Sequence, residues 1–218
     1  MRAKPASRLP SPYGLSLCAL AAFCALALVR WVYPPAYLHI SALSDGVFKP
    51  TPFVDLLDIL QAGACWRAGV DVYLPSRCLF GGVFNYSPFL LRAAYLPIGP
   101  GDTMIGGVLQ SLLFFWSLSW LPRPGSKAEF IFLLACVFSV PVIYALEQGN
   151  FDTVVFILAA LGIRQSLKPG ARSLLGMGIF IFAAALKFYP VAFALLILRQ
   201  PLRRLLPVVL LGLVAGGL

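Results

Sequence analysis

Residues 13–33 read YGLSLCALAAFCALALVRWVY. No charge interrupts this run before Arg30, and Trp31 and Tyr33 close it with the amphipathic rings that settle at a membrane–water boundary. As a helix it is long enough to cross a hydrocarbon core about 30 Å thick, with Arg30 snorkelling to the headgroups. Arg2, Lys4 and Arg8 precede it, as in a signal peptide. However, Arg30-Trp31-Val32-Tyr33 is a poor small-residue cleavage site, so the segment is predicted to be a retained anchor with a cytoplasmic N-terminus.

Composition extends this reading to the whole chain. Its 218 residues are 60% hydrophobic and 11% charged, with a mean hydropathy of +0.88, far from a soluble domain with an apolar share near 45–50%. The apolar runs are continuous rather than alternating, which excludes a β-barrel. The predicted class is all-α, a polytopic transmembrane bundle forming a single domain over 1–218, with room for roughly five to seven crossings. The net charge of +9 comes largely from short loops beside apolar runs, so it reports topology rather than nucleic-acid binding.

After the anchor, residues 34–86 form a loop of mixed polarity carrying Asp45, Asp55, Asp58 and Asp71, half of the 8 acidic residues. Apolar segments follow at 88–97, 103–121, 128–146, 151–167, 173–198 and 205–218. Three connections are basic: Arg123 and Lys127; Arg164, Lys168 and Arg172; Arg199, Arg203 and Arg204. Placing all three in the cytoplasm requires 88–121 to act as one crossing broken at Gly99-Pro100-Gly101, and 173–198 to rise and return near Lys187–Pro190. The long loop, Glu147–Asp152 and Lys187 then share the outer face. Counting every apolar segment as a full span instead puts Arg164–Arg172 outside. The last run is short for a span, so the chain is expected to be a fragment of a longer protein.

In the outer loop, Thr51-Pro52 reads as a helix start and Gly69 as a left-handed stop. Leu56, Leu57, Leu60 and Ala64 would lay this helix on the membrane surface, with Asp55 and Asp58 projecting on a shared side. The plain alternative is that both acids only favour the helix's first turn. Glu147-Gln148-Gly149-Asn150-Phe151-Asp152 gathers polar groups between two spans, and its plain reading is an aqueous turn with Asp152 as a cap. Lys187 follows the uncharged run 176–186 and precedes Phe188-Tyr189-Pro190, a costly position that marks either function or a snorkelling side chain. Arg92 and His39 read as interfacial residues. Cys18, Cys24 and Cys136 lie in apolar runs, whereas Cys65 and Cys78 share the polar loop and could pair in an oxidising compartment. Zinc-ligand spacings, Walker or Rossmann glycines and a nucleophile elbow are all missing.

The order of these features resembles a GT-C glycosyltransferase, and more narrowly glycosyltransferase family 87, the polyprenyl-phosphate-mannose-dependent mannosyltransferases and their relatives. The matching residues are Asp55 with Ala62 and Gly63 downstream, Gly69-Val70-Asp71-Val72-Tyr73, Tyr86-Ser87-Pro88, Glu147-x-Gly149-Asn150-x-Asp152 and Lys187-Phe188-Tyr189-Pro190. They span positions 55–190, corresponding to the N-terminal half of such enzymes. Val72 stands where the family usually has proline, Phe89 where a second proline is frequent, and Glu147 where glycine is common.

The resemblance implies inverting transfer of a hexose, mannose by analogy, from a polyprenyl-phosphate carrier to a glycolipid or polysaccharide acceptor at the outer face of the plasma membrane. Asp55 would be the catalytic base. Asp58, Asp71, Tyr73, Gln148, Asn150, Asp152 and Lys187 would bind substrate, with Lys187, Arg67 and Arg77 holding the phosphate. The lipid-linked sugar is the substrate, and membrane lipids are the other partner. No cofactor and no metal are implied, although Asp55 and Asp58 could hold a metal through water. The rival readings are a transporter or flippase for a lipid-linked anion, although paired halves are not visible, and an inactive truncated relative.

Overall fold

A computed structural model describes residues 13–43, 51–168 and 171–187. The described residues contain helices and turns and no strand. The chain divides into two compact units, one drawn from Met1–Pro50 and Phe115–Tyr144, the other from Thr51–Phe114 and Ala145–Leu218.

The first unit is built on α1, Gly14–Val32. Only Leu15, Ser16 and Ala19 on this helix are buried, while Leu17, Leu28 and Trp31 stand exposed. An apolar helix that leaves so much of its surface uncovered is suited to hydrocarbon rather than water. Beyond Tyr33 the chain enters α2, Pro34–Leu43, so the segment expected to open the loop 34–86 begins as a helix. Its two leading prolines suit a helix start, and the buried Tyr37 takes the Arg30 guanidinium over its ring at 5.5 Å. Phe115 packs on Phe23 at 5.3 Å between ring centroids.

The expected continuous segment 128–146 is two helices, α6 (Lys127–Val137) and α7 (Val140–Gln148), bent by 47°. Pro141 supplies the cause: it has no N–H to donate to the carbonyl of Val137, so the ladder breaks there. Ser126 caps α6 by accepting from the Glu129 N–H.

In the second unit, α3 covers Val54–Arg67. It does not start on a Thr51 cap. Phe53 occupies the cap position in the left-handed region at φ 56°, and its N–H donates instead to the Glu147 carbonyl at 2.8 Å. Gly69, at φ +79°, does end the helix in the left-handed conformation. The buried face is Ile59, Ala62, Gly63 and Cys65 rather than the expected Leu56, Leu57, Leu60 and Ala64, because the following loop folds back under the helix. Val72, Phe84 and Leu91 complete that core.

A disulfide between Cys65 and Cys78, with Cα atoms 6.1 Å apart, fastens the loop to α3. Closing a loop of this size restricts the unfolded chain by roughly 3 kcal/mol. The Arg67 guanidinium closes the other flank by donating to the carbonyls of Ala94, Leu96 and Ile98.

The stretch 88–98 forms only the single turn α4 (Pro88–Leu91) and a tight turn after it. The long helix therefore begins at the Gly99–Gly101 break instead of being interrupted by it: a 3₁₀ turn leads into α5 (Thr103–Ser117), and together Pro100–Trp120 is continuous. The helices α8 (Phe151–Ser166) and α9 (Ala171–Leu186) pack antiparallel. Glycines let them approach closely: a Cβ on Gly162 would strike the Phe180 ring at 2.7 Å, and one on Gly176 would meet the Gly162 carbonyl at 2.7 Å.

Among the described residues, Gly14–Val32 and Pro100–Trp120 are long and apolar enough to cross a membrane, and α6 with α7 adds a third if the bent pair is one span. The expected return of 188–198 and the tail 205–218 lie outside the described residues.

Candidate functional site

The turn joining α7 to α8 is the foundation of the site. Gly149, at φ +61°, terminates α7 with the paired bonds of a left-handed stop: its N–H donates to Leu146 and that of Asn150 to Ala145. A side chain at 149 would be strained by that φ and would also meet Phe53 and Leu56 at 3.1 Å. This close approach seats the first turn of α3 on the turn.

Asn150 then caps α8, its Oδ1 accepting from the Asp152 N–H at 2.9 Å. With the oxygen so engaged, Nδ2 points away and donates to Asp55 Oδ2 at 2.6 Å. The Asn150 carbonyl is held in turn by Gln110 Nε2 and Thr153 Oγ1, each at 2.9 Å. Asn150 thus positions the carboxylate at the start of α3 from the start of α8, two helix N-termini whose dipoles both favour negative charge.

Lys187, immediately after α9, forms an ion pair with Asp152. The antiparallel packing of α8 and α9 brings together these residues, 35 positions apart. The ammonium also lies over the Tyr86 ring, 5.6 Å from its centroid. Ser87 fixes that ring's backbone: it donates to the Ala185 carbonyl at 2.8 Å and caps α4. In the sequence Tyr86 stands out only as part of Tyr86-Ser87-Pro88. The structure makes it a wall of the site, and its place in Tyr-Ser-Pro before a helix start was the available signal.

The Tyr86 phenol is pushed up to about 12 from its ordinary 10.0, by burial first and then by the carboxylates of Asp55, Asp152 and Asp58. The folded chain keeps this proton between pH 10 and about 12, where an unfolded tyrosine loses it. Tyr86 therefore contributes stability that is complete below pH 10 and lost as pH rises toward 12. Alkaline denaturation of Tyr86→Phe is expected to lack this part of the pH slope. A difference titration of phenolate absorbance in which Tyr86 ionises at its ordinary value would contradict this placement among carboxylates.

Asp58 is exposed one turn beyond Asp55, its carboxylate near enough to act on the Tyr86 phenol. The remaining expected site residues are not gathered here. Gln148 is buried, 2% exposed, with its carboxamide oxygen unpartnered among the described residues. Arg67 closes α3, and at 1.5 Å per residue it lies roughly 18 Å along the helix from Asp55. Its Nη1 and Nη2 donate to the carbonyls of Ala94, Leu96 and Ile98. Arg77 is beside Cys78, and the disulfide to Cys65 holds it toward that same far end. Asp71 and Tyr73 are there too, linked by a turn in which Asp71 Oδ1 accepts from the Tyr73 N–H at 2.9 Å. Of the three expected phosphate-binding cations, Lys187 alone is beside Asp152. Among the described residues no group of three or more His, Cys, Asp or Glu could hold a metal.

The arrangement offers a half-buried carboxylate with a fixed amide partner, and nearby an ammonium held between a carboxylate and an aromatic face. Chemically, that is a proton acceptor beside a cation. No family model, curated protein or solved structure matches the chain.

Proposed function

We propose that the chain is an integral-membrane glycosyltransferase of the GT-C type, resembling family 87, which moves a hexose from a polyprenyl-phosphate carrier to an extracytoplasmic acceptor. The observation that carries this reading is the hydrogen bond from Asn150 to Asp55, across 95 positions, beside the Asp152–Lys187 pair. It unites three of the motifs on which the resemblance rests.

The chemistry is a single displacement. Asp55 takes the proton of the acceptor hydroxyl as its oxygen bonds to the anomeric carbon. The bond from that carbon to the carrier phosphate breaks, its electron pair goes to the phosphate oxygen, and the sugar inverts. An ammonium has three donors, and Asp152 engages one, so Lys187 retains donors for the departing phosphate. Tyr86 shields the ammonium from water on one face, which strengthens it as an electrostatic partner.

Topology supports an outer site. The antiparallel α8 and α9 set Arg164 and Arg172 at the end opposite Asp152 and Lys187, so the positive-inside rule directs the latter pair outward. A disulfide in the loop 34–86 agrees, since such bonds persist in oxidising compartments. On this reading the chain is a multi-pass plasma-membrane protein.

The test is label transfer from polyprenyl-phosphate-mannose, in membranes carrying the chain and in membranes lacking it. Chain-dependent glycosylated product supports the reading. Movement of the intact lipid-linked donor across the bilayer, without product, would replace it with a transporter.

A further inference from the structure

At the far end of α3, two adjoining surface cavities, about 340 and 390 Å³, share Trp66 and Tyr73 in their walls. The two rings therefore form the ridge between them. Trp66 is 40% exposed and Tyr73 41%, and Tyr95 beside them in the first cavity is more open still. Both are held from beneath. Trp66 stands on the outer face of α3 next to Cys65, which is buried and bonded to Cys78. Tyr73 is set by the Asp71 turn and by an edge contact with Phe84 at 5.9 Å.

The charges divide between the cavities. One contains Asp71 and no cation; the other contains Arg92 and no carboxylate. Arg92 is exposed, and its guanidinium has no hydrogen-bond or ion-pair partner among the described residues. A lipid tail has no use for either charge. An anionic headgroup would be drawn to Arg92 and repelled by Asp71. A ligand with flat apolar faces and a rim of hydroxyls meets both cavities: the faces lie on the indole and phenol, and the hydroxyls donate to Asp71 and accept from Arg92. Sugar rings have this character.

We infer that the Trp66–Tyr73 ridge is a carbohydrate subsite for the acceptor glycan, separate from the Asp55 centre; the acceptor role rests on the glycosyl-transfer reading. A row of aromatic contacts links the two places, Tyr73 to Phe84 at 5.9 Å, Phe84 to Tyr86 at 5.7 Å, and Tyr86 to the Lys187 ammonium at 5.6 Å. A glycan several sugars long spans that interval, with its growing end at Asp55 and an earlier residue on the ridge.

The experiment is calorimetric titration of the full chain in detergent with mannohexaose and maltohexaose. Binding of at least one is expected, weakened about tenfold or more in Trp66→Ala and in Tyr73→Ala, a change of about 1.4 kcal/mol. Trp66→Phe keeps an aromatic face and is expected to keep most of the affinity, which separates loss of stacking from loss of fold. Absence of binding to both hexasaccharides overturns the subsite, as does affinity that ignores all three substitutions. It is also overturned if Trp66→Ala changes only the retention of phosphatidylglycerol. Glycan binding by a chain that transfers no sugar would sink the enzyme reading and leave the ridge standing. Transfer with an unchanged acceptor KM in Trp66→Ala would do the reverse.

Discussion

Asp55→Asn is expected to lower hexose transfer by about 10²–10⁴-fold, the usual contribution of a positioned general base. The substitution removes the charge and the proton-accepting oxygen while keeping the side chain's size and shape. An asparagine at 55 can still present its carbonyl to Asn150 Nδ2, so the contact between α3 and the 147–152 turn survives. Loss of activity at unchanged thermal stability would therefore report chemistry rather than folding. Asp58→Asn, one turn along and exposed, is expected to retain most of the activity. Equal losses in the two variants would show that the carboxylates act as a general negative field, and the assignment of the base would fall. The measurement is the initial rate of label transfer at matched expression.

Lys187→Met is expected to cost about 10²–10³-fold, the scale seen when one preorganised partner of a developing negative charge is removed. Methionine fills similar space and can still lie on the Tyr86 ring, so the packing at the end of α9 is largely kept. The loss should fall on kcat and on kcat/KM alike, since the phosphate gains its charge only as the glycosidic bond breaks. Asp152→Asn is the informative companion. It leaves the ammonium in place over Tyr86, and a much smaller decrease is expected. If Lys187→Met and Asp152→Asn lose activity to the same extent, the ion pair is a structural tie between α8 and α9 and the phosphate role is wrong.

Several parts of this architecture were legible along the chain because they depend on local composition. A helix long and apolar enough to cross a membrane needs only an uncharged apolar run bounded by Arg30 and aromatic rings, and α1 occupies that run. Gly69 takes the left-handed conformation expected of it at the end of α3; Gly149 does the same after α7, which the polar turn 147–152 did not single out. Asn150 capping α8 follows from the same local rules, although the sequence pointed to Asp152 for that task. The bend at Pro141 was also written locally, in a missing N–H, but the surrounding apolar run concealed it.

What sequence alone determined about this protein was its membrane-suited, helical character and the set of unusual polar residues, since both follow from which side chains are present and at what spacing. Tertiary structure decided which of those residues meet. Asp55 faces Asn150 because Gly149 admits the α3 N-terminus, and Lys187 faces Asp152 because α8 and α9 run antiparallel. Arg67, equally basic, lies at the far end of α3 clasping backbone carbonyls, and Gln148 is buried. Nothing in the spacing distinguishes these fates. An ion pair or hydrogen bond between distant positions depends on the packing of whole helices, and that packing is set by glycines, a disulfide and a buried face that become neighbours only in the folded chain.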